Sequence, residues 1–226
     1  MSQPKLFVVA GPNGSGKSTL SQGLVTPGTF VFDGDREMLQ LQKKFPDIDS
    51  GNLFDAVNGP IFQEFKDKAM NSRSDFGFET NFRVAAVMDT VGQFREAGYQ
   101  THLIFLGLQS IQLSMDRVAH RTENGGHFVD EINIKANYER GMENLLRYYK
   151  DFDQVILLQG DSAYRLASLL KIEKGVIVEQ AESLPIWADQ IPFEIQRELL
   201  SGQALRQQHN GQEHKRDQGL SSGMHM

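Results

Sequence analysis

The chain has 226 residues, of which 39% are hydrophobic and 23% charged, a composition that supports one large folded domain and excludes wholesale disorder. Because it contains no cysteine, disulfide scaffolds, thiolate nucleophiles and cysteine-ligated metal sites are excluded. Its net charge of −6 argues against general nucleic-acid binding, and no apolar run is long enough to span a membrane. We therefore expect a soluble cytoplasmic protein without a membrane partner, and the charge disfavours a nucleic-acid partner, although a local basic cleft remains open.

Predicted strands and helices alternate along most of the chain. Short apolar runs predict strands at residues 6–10, 29–32, 76–78, 101–106, 154–158 and 175–178. Helical periodicity predicts helices at 17–24, 35–45, 53–70, 84–97, around 111–118 and at 132–149, the third broken or kinked at Gly59-Pro60. This alternation predicts an α/β fold with a mostly parallel sheet.

The regular pattern fades toward the end of the chain. We predict one domain over residues 1–180, a helical segment over 181–206 and a disordered tail over 207–226, where apolar residues are scarce. The tail contains His209, His214 and His225. Isolated histidines in a polar segment are more typical of solvated side chains than of a metal site, so we assign them no metal.

The most specific motif is GPNGSGKST, which follows the first predicted strand and opens the first predicted helix. It matches the phosphate-binding loop pattern G-x-x-x-x-G-K-[ST] in the expected strand–loop–helix context. Backbone N–H groups of such a loop surround phosphates, the lysine bridges the β- and γ-phosphates, and the serine hydroxyl suits Mg²⁺. The predicted ATP-binding residues are Gly11, Pro12, Asn13, Gly14, Ser15, Gly16, Lys17, Ser18 and Thr19, with Ser18 as the Mg²⁺ ligand.

The same motif also occurs in ATP-binding cassette ATPases, which need an LSGGQ-like signature followed by an apolar strand that ends in Asp-Glu. The nearest match, Leu200-Ser201-Gly202-Gln203, lacks one glycine and follows the last predicted strand. The strand at 101–106 runs into Gly107-Leu108-Gln109 without a carboxylate. An ATP-driven coupling module is therefore disfavoured.

Acidic side chains follow two other predicted strands, at the sheet edge where open α/β sheets bind ligands. Asp33 and Asp35 follow the second strand, and one of them could act as a general base; a loop turn and a helix cap are the alternative. Glu79-Thr80 follows the third strand, where the carboxylate could hold magnesium through water, bind a substrate hydroxyl or cap the next helix.

A basic segment follows the fourth predicted strand. Arg117 and Arg121 are four residues apart on a predicted helix and share a face, and Gly125-Gly126-His127 follow. The two glycines would allow a lid to bring arginine donors over the β- and γ-phosphates. A solvated basic helix followed by a loop is the alternative.

Together these motifs resemble the zeta-toxin family of P-loop kinases, over roughly residues 5–158. The matching elements are GPNGSGKST, Asp33-Gly34-Asp35, Phe78-Glu79-Thr80, RVAHR at residues 117–121, and Gly125-Gly126-His127 with Asn137-Tyr138 downstream. The resemblance implies a P-loop NTPase (kinase-like) three-layer fold. It also implies ATP- and Mg²⁺-dependent phosphorylation of the sugar 3′-hydroxyl of UDP-N-acetylglucosamine, and it allows for an antitoxin protein as partner.

The resemblance also assigns roles to residues. Asp35 corresponds to the base, Arg117 to a lid arginine, and Arg121 and His127 to candidates for the second lid position. Catalytic candidates are therefore Asp35, Lys17, Arg117 and Arg121. Substrate-binding candidates are Asp33, Glu79, Thr80, Arg83 and His127.

The chain departs from the family pattern at three places. Asp33-Gly34-Asp35 replaces the commoner Asn-Ala-Asp, Asn81 follows Glu-Thr where another threonine is frequent, and Asn137 stands where related sequences usually have arginine. The last difference removes a lid cation.

Three functions remain open from the sequence. The first is a small-molecule kinase acting on UDP-N-acetylglucosamine or a related nucleotide sugar. The second is a nucleotide-dependent ATPase or switch that acts on a protein partner without small-molecule transfer. The third, a nucleic-acid end kinase, is weakened by the net charge.

Overall fold

The structure is a computed structural model that describes residues 3–126, 128–162, 165–197 and 200. Its centre is a seven-stranded sheet in the order β2-β3-β1-β4-β5-β6-β7. The first five strands of that order are parallel, and β6 and β7 extend the sheet as antiparallel strands. The strands are β1 (Lys5–Ala10), β2 (Phe30–Phe32), β3 (Phe76–Thr80), β4 (Gln100–Gly107), β5 (Gln154–Ser162), β6 (Arg165–Glu173) and β7 (Val176–Gln180).

Within the described residues, seven α-helices connect these strands. They are α1 (Lys17–Leu24), α2 (Gly34–Lys44), α3 (Ser50–Ala56), α4 (Phe62–Ser72), α5 (Val87–Glu96), α6 (Ile111–Glu123) and α7 (Glu131–Tyr148). The chain divides into a first unit, Met1–Ala188, which contains all of these elements, and a second unit that begins at Asp189. Residues 186–197 are helical. Within the described ranges, no helix combines the length and the apolarity that a membrane span requires.

Side-chain alternation along β1 divides the core into two layers. Phe7 and Val9 point to one face, where they pack with Ile104 and Leu106 of β4 and with Leu20 and Leu24 of α1. Leu6 and Val8 alternate with them and point to the opposite face.

That opposite face is rich in aromatic side chains. Phe76 and Phe78 of β3 lie beside Leu6 and Val8 in the parallel register. Phe62 of α4 lies within 6.3 Å of the Phe76 ring centre, and Phe94 of α5 stacks on Phe76 at 5.5 Å. Helices therefore cover both faces of the sheet, which confirms the predicted three-layer α/β architecture with a mostly parallel sheet.

Two details differ from the sequence prediction. Strand β6 was not predicted, and α5 begins at Val87 rather than at residue 84 because residues 84–86 form a turn. The expected break at Gly59-Pro60 is a π-helical turn, Val57–Ile61, that connects α3 to α4. Proline lacks the N–H that a regular helix needs, and a widened turn accommodates that loss. The predicted disordered tail at 207–226 and its three histidines lie outside the described residues.

Candidate active site at the phosphate-binding loop

The loop between β1 and α1 has the backbone conformation that its glycines permit. Gly11, Gly14 and Gly16 have φ angles of 145°, 73° and 93°, in the region that side chains disfavour. A Cβ atom at Gly11 would lie 2.2 Å from the Leu106 carbonyl oxygen of β4. The loop is therefore pressed against the carboxyl end of the central strands, and Gly16 leads directly into α1. A helix N-terminus at this place favours a phosphate group.

Lys17 is the cation at the centre of the site. Its Nζ donates to the carbonyl oxygens of Gly11 at 2.8 Å and Pro12 at 3.1 Å, and to Asn81 Oδ1 at 3.0 Å. Burial lowers its pKa from 10.5 to about 8, although the nearby carboxylates of Glu79, Asp35 and Asp33 act in the opposite direction. Lys17 therefore lies within electrostatic reach of all three acidic residues.

Glu79 faces α1 because of its place in β3. It pairs with Val9 in the parallel register and shares that residue's face of the sheet. Its carboxylate accepts hydrogen bonds from Ser18 Oγ and Ser21 Oγ, both at 2.8 Å. Burial, and then the neighbouring Asp33, raise the pKa of Glu79. Glu79 does not cap α5, which has no side-chain cap.

The acidic pair after β2 opens α2. Asp33 is the N-cap, and its Oδ1 accepts from the backbone N–H of Arg36 at 3.2 Å. Asp35 lies in the first turn of the helix and is exposed. One oxygen of Asp33 is thus committed to the helix, whereas no hydrogen bond within the described residues engages the Asp35 carboxylate.

A strained turn follows β3. Thr80 Oγ1 accepts from the backbone N–H of Phe82 at 3.0 Å, and Phe82 has a φ of 56°, which is rare for a residue with a bulky side chain. The turn directs Asn81 to Lys17 and Arg83 to α7. Arg83 Nη1 donates to Asn133 Oδ1 at 2.7 Å and to Asn137 Oδ1 at 3.4 Å.

Helix α6 packs against the loop and carries both predicted lid arginines. Arg117 Nη1 donates to the Gly14 carbonyl oxygen at 3.1 Å, and a Cβ atom at Gly14 would lie 2.8 Å from Arg117 Cβ. The positive charge of Arg121 acts to lower the pKa of Lys17, so it is near the same centre. A Cβ atom at Gly126 would lie 2.5 Å from Arg121 Cγ, so the absence of a side chain at Gly126 leaves room for the Arg121 side chain.

Three polar residues at the site escaped the sequence analysis as functional candidates. Asn81 contacts Lys17, Ser114 Oγ donates to the Asn13 carbonyl oxygen at 2.6 Å, and Asn137 Nδ2 donates to Asn13 Oδ1 at 2.7 Å. Small amides and hydroxyls carry no sequence signal for such contacts, because the partners are up to 124 residues apart.

Most of the predicted site residues lie around the loop. Ser15 of the loop is buried, and its Oγ would lie 3.0 Å from a Cβ atom at Gly11. Thr19 is exposed in the first turn of α1. His127 lies outside the described residues. Within the described ranges, no group of three or more histidine, aspartate or glutamate side chains is arranged to hold a metal by itself.

Sequence comparison finds a family whose similarity to this chain includes the nucleotide-binding loop. The family described as Zeta toxin matches residues 1–166. An uncharacterized protein of Haemophilus influenzae is 28% identical over 139 residues, which cover 60% of this chain and 94% of that protein.

Solved structures share the fold at low sequence identity, and two of them illustrate the similarity. A chain from the PezAT chromosomal toxin–antitoxin system of Streptococcus pneumoniae has a TM-score of 0.56 at 16% identity, with 88% of each chain covered. A chain from the AvrRxo1-ORF1:AvrRxo1-ORF2 complex with sulphate ions has a TM-score of 0.60 at 16% identity. That match covers 80% of this chain and 62% of the other. The family match spans more than half of the sequence and includes the loop, both acidic strand ends and α6, so the chain belongs to the zeta toxin family and is a P-loop phosphotransferase.

Proposed function

We propose that the protein transfers the γ-phosphoryl group of ATP to a hydroxyl group of a small molecule. The observation that carries the proposal is the set of charges around Lys17, namely the carboxylates of Asp33, Asp35 and Glu79 and the cation of Arg121. Phosphoryl transfer needs cations over the transferred group and a carboxylate that orients the acceptor. Both kinds of group meet at this lysine.

The loop and its lysine would bind the nucleotide. Backbone N–H groups around Gly14 and Gly16, at the start of α1, suit the β-phosphate. Lys17 is held by carbonyl oxygens at 2.8 and 3.1 Å and would exchange these partners for phosphate oxygens. A cation at this position stabilises the charge shared between the β- and γ-phosphates in the transition state.

The donor set beside Lys17 suits Mg²⁺. Ser18 Oγ and the Glu79 carboxylate are hard oxygen ligands whose atoms lie 2.8 Å apart, and magnesium in such sites takes few protein ligands. We assign Ser18 as the ligand, with Glu79 beside it to hold the ion or its water. A bound Mg²⁺ would neutralise charge on the β- and γ-phosphates.

Asp35 is our candidate for the general base. Its exposed carboxylate lies close enough to act on the pKa of Lys17, whereas Asp33 caps α2. In the reaction, Asp35 takes the proton of the acceptor hydroxyl as the oxygen–phosphorus bond forms. The bond between the γ-phosphorus and the β,γ-bridging oxygen breaks, and ADP leaves. Arg117 and Arg121, on the face of α6 that contacts the loop, would stabilise the charge on the transferred group.

For the acceptor we propose UDP-N-acetylglucosamine or a related nucleotide sugar. Membership in the zeta toxin family supports this choice. The test measures ADP release and transfer of labelled phosphate from ATP to a panel of nucleotide sugars and free sugars. We expect label on the sugar hydroxyl of UDP-N-acetylglucosamine. Labelling of a different hydroxyl compound would support the kinase activity but contradict the proposed acceptor. ADP release that no acceptor stimulates would instead favour a nucleotide-dependent switch.

We also propose an antitoxin protein as partner. Two neighbours in fold come from structures of two-component assemblies, one of them described as a toxin–antitoxin system. The test is expression of the wild type and of Lys17→Ala in a bacterial host. Growth arrest by the wild type alone supports a toxic activity that needs a partner to restrain it, and normal growth with active enzyme contradicts it.

A further inference from the structure

Arg83 is a half-buried cation held by neutral partners. Its Nη1 donates to Asn133 Oδ1 at 2.7 Å and to Asn137 Oδ1 at 3.4 Å, and both asparagines are on α7. In the described part of the chain it contacts no carboxylate. Its guanidinium is therefore oriented without a direct ion pair, and the donors on Nε and Nη2 remain for an anion.

Asn137 joins this arginine to the nucleotide-binding loop. The Asn137 side chain is 7% exposed, and its Nδ2 donates to Asn13 Oδ1 at 2.7 Å. The Asn137 amide therefore donates to the loop through Nδ2 and accepts from Arg83 through Oδ1. Each partner needs a different atom of the amide. Turning the amide over would place its NH₂ group against the guanidinium and lose both bonds.

The loop end of this chain of contacts is itself fixed. Asn13 is 6% exposed, and its backbone carbonyl oxygen accepts a hydrogen bond from Ser114 Oγ of α6 at 2.6 Å. Buried polar groups are costly to leave without partners, so a displacement of Asn13 would disturb its contacts with both α6 and α7.

Helix α7 also fixes the turn that carries Arg83. Asn144 Nδ2 donates to the carbonyl oxygen of Phe82 at 2.8 Å. A Cβ atom at Gly141 would lie 2.7 Å from the Asn81 carbonyl oxygen, so glycine allows the close approach of the helix. The positive φ of Phe82 is a strained conformation that persists only where surrounding contacts hold it.

We propose that Asn137 is a positioning residue that, beside the shorter bond from Asn133, orients the Arg83 guanidinium and links it to Asn13 of the nucleotide-binding loop. This proposal rests on the proposed kinase function, and it adds that Arg83 contacts an anionic group of a bound substrate. Asn137 itself contacts no substrate; it acts through Arg83.

The activity test is a double-mutant cycle. Arg83→Ala and Asn137→Ala should each lower kcat/KM for the acceptor by about 10- to 100-fold, the range for a lost hydrogen bond to a charged group. Because part of the Asn137 effect acts through Arg83 and the rest through Asn13, the double variant should lose clearly less than the product of the two single losses. Asn144→Ala is the matched control. It removes another α7 bond to the same turn, but it does not contact Arg83, so its effect should add to that of Arg83→Ala.

A second measurement does not depend on transfer. The side-chain Nε–H signal of Arg83, assigned by its loss in Arg83→Lys, is followed by NMR while Mg²⁺ and the non-hydrolysable analogue AMP-PNP are added. We expect a shift in the wild type that is lost or much reduced in Asn137→Ala, with the melting temperature recorded as a check of folding. Multiplicative losses in the cycle, or the same Nε–H shift in both proteins, would overturn the positioning role. A wild type that shows the shift but transfers no phosphate would refute the kinase proposal and leave the link to Asn13 standing.

Discussion

The lowered pKa of Lys17 predicts that ATP affinity falls above pH 8. Burial brings this pKa to about 8 in the nucleotide-free protein, so the ammonium group loses its charge as the pH rises through that value. Bound triphosphate favours the charged form and returns the pKa toward its ordinary value. Linkage then weakens binding by about tenfold at pH 9 and about thirtyfold at pH 9.5 relative to pH 7. Below about pH 7.5 Lys17 is mostly charged, so its ionisation should no longer change the ATP affinity.

Isothermal titration calorimetry with Mg²⁺–ATP between pH 7 and 9.5, at constant ionic strength, measures this effect. Repeating it in buffers of different ionisation enthalpy should show uptake of nearly one proton per ATP at pH 9. Lys17→Arg is the matched control, because guanidinium stays charged throughout this range. A flat profile in the wild type, or an equal decline in Lys17→Arg, would refute the reasoning.

Three further predictions concern the residues around Lys17. Asp35→Asn should lower phosphoryl transfer by about 10²- to 10⁴-fold with ATP affinity nearly unchanged, and a larger loss in Asp33→Asn would reverse the assignment of the base. Gly14→Ala should destabilise the protein by more than about 1 kcal/mol in chemical denaturation, because φ is 73° and Arg117 Cβ is 2.8 Å from the new methyl group. Gly28→Ala, with φ of 87° and open space, should show the backbone penalty alone, and an equal loss in both would contradict packing of α6 on the loop. Arg117→Ala should lower kcat more than ATP affinity in steady-state kinetics and binding assays, and no effect on either would indicate a solvated helix.

Those parts of the candidate site whose structure depends on a local sequence pattern could be predicted from the sequence. The loop motif, the acidic strand ends and the spacing of Arg117 and Arg121 each depend on residues close together in the chain. Parallel pairing then brings strand ends to one edge, which is why Asp33 and Glu79 could be expected near Lys17. The structure adds that alternation along β3 directs Glu79 to α1, where it meets Ser18.

Features that depend on contacts between distant segments could not be predicted from local sequence patterns. Strand β6 escaped prediction because a register shift opposite Leu157 and Leu158 places Leu169 and Leu170 in succession, and both are buried. That shift interrupts the two-residue alternation by which a strand is recognised. The contacts of Asn13 with Asn137 connect segments whose pairing the order of residues does not reveal.

The most direct test of the account is acceptor-dependent ADP release by the wild type and by Lys17→Ala, with folding checked by circular dichroism. We predict that UDP-N-acetylglucosamine or another hydroxyl acceptor stimulates ADP release in the wild type, and that Lys17→Ala keeps the fold and shows no detectable transfer. Turnover in Lys17→Ala equal to that of the wild type would contradict the central claim that this loop performs phosphoryl transfer.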